Sequence, residues 1–104
     1  MNIINLCNIA DYQQDAIVSK TIIDEKGGSI TFFAFSENQK LSEHTAPYDA
    51  FVQILEGEAE IKIGEKIYIL KSEESIIMPA DIPHAITAKK RFKMLLTMIK
   101  RIKV

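Results

Sequence analysis

An all-β domain, a sandwich or barrel of short antiparallel strands, is the fold this sequence predicts, and three observations predict it. Its apolar runs are short and rich in Val, Ile, Thr, Phe and Tyr, side chains that fit a pleated, half-buried surface. Turn residues punctuate these runs about every 6–10 residues, which yields roughly nine or ten strands. Glu58–Ile63 alternates strictly, with Ala59, Ile61 and Ile63 on one face and Glu58, Glu60 and Lys62 on the other, as a half-buried strand requires.

Taken in order, residues 1–14 form a short helix or an irregular cap, because their apolar positions follow no firm period. Ala16–Ile23 is the first strand and ends in Asp24-Glu25-Lys26-Gly27-Gly28, where the glycines permit a turn. Ser29–Phe35 is the second, and the polar segment Ser36–Lys40 breaks it. Leu41–Ala46 and Ala50–Leu55 are joined through Pro47 and Tyr48. Glu56-Gly57 reads as a turn before Glu58–Ile63. Gly64-Glu65-Lys66 is a tight hairpin connection, and Ile67–Leu70 runs back antiparallel. Lys71–Glu74 is a polar turn, Ser75–Met78 a strand and Pro79–Pro83 a loop. His84–Ala88 and Phe92–Ile102 finish the chain.

At 104 residues there is room for one domain, 1–104, with 1–15 as an N-terminal cap and 16–104 as the barrel. An apolar content of 47% excludes disorder as the main state. No apolar run approaches the ~20 residues that span a bilayer, and the N-terminus lacks the pattern of a signal peptide. A cytoplasmic protein without membrane attachment is the expectation. The lone Cys7 agrees with a reducing compartment. A net charge of −1 argues against nucleic acid as a partner, since backbone binding needs a positive field. The basic residues Lys89, Lys90, Arg91, Lys93, Lys100, Arg101 and Lys103 read as a solvated turn and a charged strand end.

Thr31–Phe35 and Met94–Ile99 carry apolar side chains on both faces, so each needs a second covering layer. A second copy of the chain supplies it in the favoured reading, which predicts a homodimer. The alternative is that the N-terminal segment folds over that face.

His44 and His84 are the only histidines. His44 and Ala46 share a face by spacing, as do His84 and Ile86, and as do Ala50, Val52 and Ile54. With both imidazoles inward, the interior holds two polar groups among apolar side chains, the usual form of a small-molecule site. Tyr48 stands where it would close the mouth, and Met78, Met94 and Met98 read as core or pocket lining. Asp49 points outward by alternation, and a bulge at Pro47-Tyr48 would turn it inward. Gln53 falls on the outer face.

The segments His44-Thr45-Ala46-Pro47-Tyr48-Asp49-Ala50, then six residues, then Gly57, and Pro79-Ala80-Asp81-Ile82-Pro83-His84 resemble the two motifs of the cupin family. The family's first motif is His-x-His, a short spacer, Glu, six residues and Gly; its second is Pro-x-Gly-x-x-His. The similarity covers about residues 29–99, and the phrases Leu55–Ile61 and Ile77–His84 carry most of it. The resemblance implies a small jelly-roll β-barrel. It also implies a divalent transition metal (Zn, Fe, Mn or Ni) held by three His and one Glu. His44 matches the first ligand position and His84 the last. Ala46 replaces the second His, Ala50 the Glu, and Asp81 the Gly, which suggests a slightly different turn. His44 and His84, with Asp49 as a third candidate, are what is left for a metal, short of the usual ligand set.

The favoured function is therefore a binding protein whose barrel holds a small molecule, with His44 and His84 as polar anchors and Tyr48, Met78 and Met98 beside them. The alternative is a metal-dependent dioxygenase, isomerase or decarboxylase with a two-His site. A third reading is metal-free acid–base chemistry between the imidazoles, and a fourth a regulatory or sensor role.

Overall fold

Alternating apolar runs and turn residues produce eight strands in a computed structural model that describes residues 2–100. They are β1 (Ile17–Glu25), β2 (Gly28–Phe35), β3 (Lys40–His44), β4 (Asp49–Ile63), β5 (Lys66–Lys71), β6 (Ser75–Met78), β7 (His84–Thr87) and β8 (Phe92–Ile99). One 3-10 turn, Leu6–Asn8, precedes them inside an otherwise irregular N-terminal segment. All strand pairs are antiparallel. The expected all-β, antiparallel jelly-roll barrel is what forms. Among the described residues no helix is long and apolar enough to cross a membrane. The ends of two sequence expectations, strand through Ile102 and the basic residues Arg101 and Lys103, lie outside the described residues.

The expected turn at Glu56-Gly57 does not form. Residues 49–63 are one strand of 15 residues. Its first half pairs with β8 on one side and β6 on the other, and its second half pairs with β5 and β7. β4 thus leaves a sheet containing β1, β2, β8 and β6 and enters one containing β5, β7 and β3. The register slips between Ile54 and Glu56, and Gly57 takes φ 83°. A bulge and a left-handed glycine bend a strand without reversing it, which is how a strand turns the corner between two sheets. The glycine that suggests a break between Ala50–Leu55 and Glu58–Ile63 bends the strand instead of ending it.

The faces come out as spacing predicts. Ala50, Val52 and Ile54 from the first half, and Ala59 and Ile61 from the second, are buried together with Phe35, Phe92, Met94, Met78, Leu70 and Ile86. Phe35 and Phe92 stack at 4.5 Å between ring centroids. This cluster fills the space between the sheets.

A second, smaller cluster lies on the outer face of the first sheet: Phe32, Ala34 and Leu95, covered by Ile9, Ala10 and Tyr12 with Val18, Ile22, Ile30 and Leu55. The layer over these residues is therefore the chain's own N-terminal segment, the alternative to a second copy. Polar contacts hold it down. Buried Lys93 donates from Nζ to the Cys7 carbonyl at 2.6 Å and lies 3.8 Å from Glu56. Tyr12 donates its hydroxyl to Glu56 at 2.7 Å, and its ring lies beneath the Lys93 and Arg91 cations at 5.1 and 4.7 Å. Burial raises the Tyr12 phenol above its ordinary range, and the Glu56 hydrogen bond and charge add to the effect.

Gly57 gives the corner a direct test. A Cβ there would lie 2.3 Å from the Arg91 carbonyl oxygen and 2.8 Å from the Phe92 Cα, besides the positive φ. Gly57→Ala is expected to destabilise the fold by about 3 kcal/mol. Gly27→Ala, where a Cβ meets nothing within 4 Å, is expected to change stability by less than about 0.5 kcal/mol. Urea unfolding of the two variants checks the contrast.

Candidate functional site

The site begins with a pairing. β3 and β7 are neighbours, and His44, the last residue of β3, is the direct cross-strand partner of His84, the first of β7. On β7 only Ala85 separates His84 from Ile86, while on β3 two residues separate His44 from Leu41, the partner of Ile86. The register shift absorbs the extra residue. Leu41 and His44, an odd number of positions apart, consequently reach the same interior space.

The corners that carry the histidines are tied together. The Asp81 N–H donates to the Ala46 carbonyl at 2.8 Å, and the Ala80 N–H donates to Asp49 Oδ1 at 2.8 Å. The Gly64 N–H donates to the Pro83 carbonyl at 2.8 Å. Asp81 takes φ 65°, so the turn keeps a left-handed residue where the family motif has Gly. Asp adopts that region more readily than other side chains. The substitution preserves the turn rather than altering it.

Between the sheets lies a cavity of about 60 Å³ lined by Leu41, His44, Ala46, Ala50, Met78, His84, Ile86, Met94, Leu96 and Met98. Its polar side chains are the two imidazoles. Their Nε2 atoms face each other at 3.2 Å, with ring centroids 4.4 Å apart and planes at 69°. His84 is 5% exposed, whereas His44 sits at the solvent-facing mouth. Each Nδ1 is engaged by a carbonyl two residues back: His44 Nδ1 with Ser42 at 2.7 Å, and His84 Nδ1 with Ile82 at 3.2 Å. A carbonyl only accepts, so each Nδ1 carries its hydrogen. In neutral rings both Nε2 atoms are then bare acceptors, set lone pair toward lone pair.

Burial pushes the His84 imidazole below its ordinary value. The Ile82 carbonyl opposes this by accepting from the ring, and the neighbouring His44 adds to the lowering.

Met78 and Met98 line the cavity, as do Ala46 and Ala50. Tyr48 is half-buried but is not part of the lining. Asp49 is exposed and spends its carboxylate on the Ala80 N–H, so it does not turn toward the imidazoles. The bulge that would have turned it inward is absent from Pro47-Tyr48, which form a bend between β3 and β4. Gln53 is exposed on the outer face, where it lines a groove with Asn5, Leu6 and Cys7. Leu41 and Leu96 are lining residues that the reading of the sequence does not name. Leu41 is hidden by the β3 irregularity. Leu96 shares a face with Met94 and Met98, which spacing along β8 does reveal.

The residues fit a metal poorly. Ala46 and Ala50 present methyl groups, Asp49 is engaged elsewhere, and among the described residues no group of three His, Cys, Asp or Glu side chains comes together. Protein sites normally supply at least three ligands.

Comparison with known proteins agrees with this geometry. The cupin domain family model matches residues 31–99. A conserved protein of unknown function from Streptococcus pyogenes is 35% identical with a TM-score of 0.93, over 98% of this chain and 90% of that one. A cupin 2 conserved barrel domain protein from Leptotrichia buccalis is 38% identical with a TM-score of 0.90, over 93% of this chain and 47% of that one. A cupin superfamily protein from Desulfitobacterium hafniense is 27% identical with a TM-score of 0.91, over 96% of this chain and 92% of that one. No curated protein matches the sequence.

The lowered His84 has a consequence for stability. Unfolding returns the ring to about 6.5, so the unfolded chain accepts a proton that the folded chain refuses. This contribution is fully present above about pH 6.5 and is lost as pH falls from there through the lower folded value. Urea unfolding across that range is expected to show a stability loss that is shallower in His84→Gln.

Proposed function

This chain belongs to the cupin domain family, and on that footing we propose that it is a small-molecule-binding protein whose barrel cavity holds a compact ligand with His44 and His84 as polar anchors. One observation carries the reading. The cavity has two convergent polar groups in an otherwise apolar lining, and the small side chains of Ala46 and Ala50 keep it open. Size sets the ligand class. About 60 Å³ is several times the roughly 10–15 Å³ that one water needs and far below the roughly 300–1,000 Å³ of a drug-sized pocket. A molecule of a few non-hydrogen atoms fits; a sugar ring does not fit without rearrangement. Tyr48, half-buried at the corner beside the mouth, is the side chain that would respond to ligand entry.

An NMR screen of compact organic molecules tests the proposal. Binders are expected to perturb His84 and Met98, and Ala50→Leu, which fills the cavity, is expected to weaken them at least about tenfold while the strands stay folded. Retained binding in that variant would move the site out of the barrel.

A specific observation also supports self-association. Phe51, Ile77 and Ile99 are 38%, 59% and 59% exposed on the outer face of the first sheet, beyond the edge of the N-terminal cover. Phe51 is the cross-strand partner of Ile77 and of Thr97, so these side chains form one band. A second copy docked band to band buries it. Sedimentation at micromolar concentration is expected to give twice 11.8 kDa, and Phe51→Glu is expected to return the single-chain mass. A wild-type chain sedimenting at the single mass removes the dimer.

A further inference from the structure

We propose that the free edge of β5 joins a second copy of the chain, strand to strand and antiparallel, about a two-fold axis through Tyr68. The contact goes beyond the binding reading and shares no residue with the band of Phe51, Ile77 and Ile99.

β5 is an edge strand. It pairs with β4 alone, in an unbroken register from Glu58↔Lys71 to Ile63↔Lys66. The backbone of Lys71 shows which groups face outward. Its N–H donates to Glu74 Oε1 at 2.7 Å, and its carbonyl accepts from the Glu74 N–H at 2.9 Å, so both engage Glu74 instead of β4. In an antiparallel ladder every second residue turns its N–H and carbonyl to the same side, so those of Ile67 and Ile69 also point away from β4. Natural edges are blunted by a proline, a bulge or an inward charge. β5 has none of these between its terminal residues, Lys66 and Lys71. Ile67, Tyr68 and Ile69 stand there 60%, 38% and 48% exposed.

The outward groups limit the register. Those of Ile67 and Ile69 must meet outward groups of the other copy, which places the axis at Ile67, Tyr68 or Ile69. An axis at Ile67 sets Ile69 against the partner's Glu65. An axis at Ile69 sets Ile67 against the partner's Lys71. An axis at Tyr68 sets Ile67 against the partner's Ile69 and Glu65 against the partner's Lys71, and the two-fold repeats both pairs. Apolar pairs and opposite-charge pairs stabilise facing strands, so the axis at Tyr68 is favoured. The charges are available for it. Among the described residues neither Glu65 nor Lys71 belongs to an ion pair, whereas Lys62 and Glu60 on the adjoining strand are paired with Glu43 and Lys89. Both residues are exposed. A strand whose sequence answers itself in this way is what a two-fold contact requires, and it is why the occupant is a second copy and not a foreign peptide.

The test uses the full chain carrying Phe51→Glu, so that the band contributes nothing, in sedimentation from about 10 μM to about 1 mM. The average mass is expected to climb from the single-chain 11.8 kDa toward twice that value. Adding Ile69→Lys, at an exposed position, is expected to hold it at the single mass with an unchanged circular dichroism spectrum. Single cysteines in a Cys7→Ser background read the register. Residues directly opposed across an antiparallel pair lie about 4.5–5.5 Å apart, within disulfide reach, and diagonal ones about 7–8 Å. In a glutathione buffer Tyr68→Cys is therefore expected to link two copies at least about tenfold faster than Ile67→Cys or Ile69→Cys. A mass fixed at the single value throughout, or association that Ile69→Lys leaves intact, overturns the contact. Faster linkage at position 67 or 69 overturns the axis. The band is judged separately, by the wild-type mass at micromolar concentration, and the barrel ligand by the screen of compact molecules.

Discussion

One strand has to belong to two sheets. Residues 49–63 bury Ala50, Val52 and Ile54 in the first half and Ala59 and Ile61 in the second, all in one core. The two halves pair with different partners, so the strand bends where neither half can continue flat. Gly57 makes the bend possible by lying where a side chain would run into the backbone of Arg91 and Phe92. Everything at the site follows from this corner. The first half and its neighbours bring Ala50, Met78, Met94, Leu96 and Met98. The second half positions β7, which positions β3, and with them come His84, Ile86, Leu41 and His44. The cavity is lined by residues of both sheets.

The outer layer is a separate construction that leans on the same corner. Glu56 sits in the irregular stretch of β4 and meets both Tyr12 and Lys93, while Leu55 beside it packs into the outer cluster and accepts from Ser72. Residues from the chain's start thus close over strands from its end, Lys93 reaching Cys7 across 86 positions. The exposed ion pairs elsewhere, such as Lys62–Glu43 and Lys100–Asp24, contribute about 0–1 kcal/mol each and do not set this arrangement. Burial of Phe32, Ala34 and Leu95 does, and the apolar band running on to Phe51, Ile77 and Ile99 is what that cover leaves uncovered.

The parts legible in the sequence are those that depend on regular alternation. The inward set Ala50, Val52, Ile54, Ala59 and Ile61 follows from a period of two, and Glu58–Ile63 with Ile67–Leu70 reads directly as a hairpin. Convergence of His44 and His84 was legible from the motif spacing and from each residue's face. The parts that were not legible all involve an irregularity that leaves no compositional trace. Glu56-Gly57 has turn chemistry, and whether a glycine reverses a strand or bends it depends on what packs against it, here Phe92, 35 positions away. Leu41 is placed by the extra β3 residue. Which layer covers Phe32 depends on contacts from Ile9, Ala10 and Tyr12, in a stretch with no periodicity to announce them.

What holds the imidazole pair is the cost of each way out of it. Turning either ring about its Cβ–Cγ bond would replace Nδ1 by a carbon at the carbonyl of Ser42 or Ile82 and forfeit a hydrogen bond worth about 1 kcal/mol. Moving the hydrogen from Nδ1 to Nε2 forfeits the same bond and leaves carbonyl oxygen facing bare nitrogen. Separating the rings strains the β3–β7 pairing, since His44 and His84 are direct cross-strand partners and their corners are bound through Asp81, Ala46, Asp49 and Ala80. With Ala50 at the position where the family motif has Glu, no lining side chain sets a carboxylate beside the two rings. The loss of that carboxylate therefore does more than weaken a metal site: it leaves the two imidazoles as the polar part of the lining, so recognition of whatever enters falls to them and to an apolar wall.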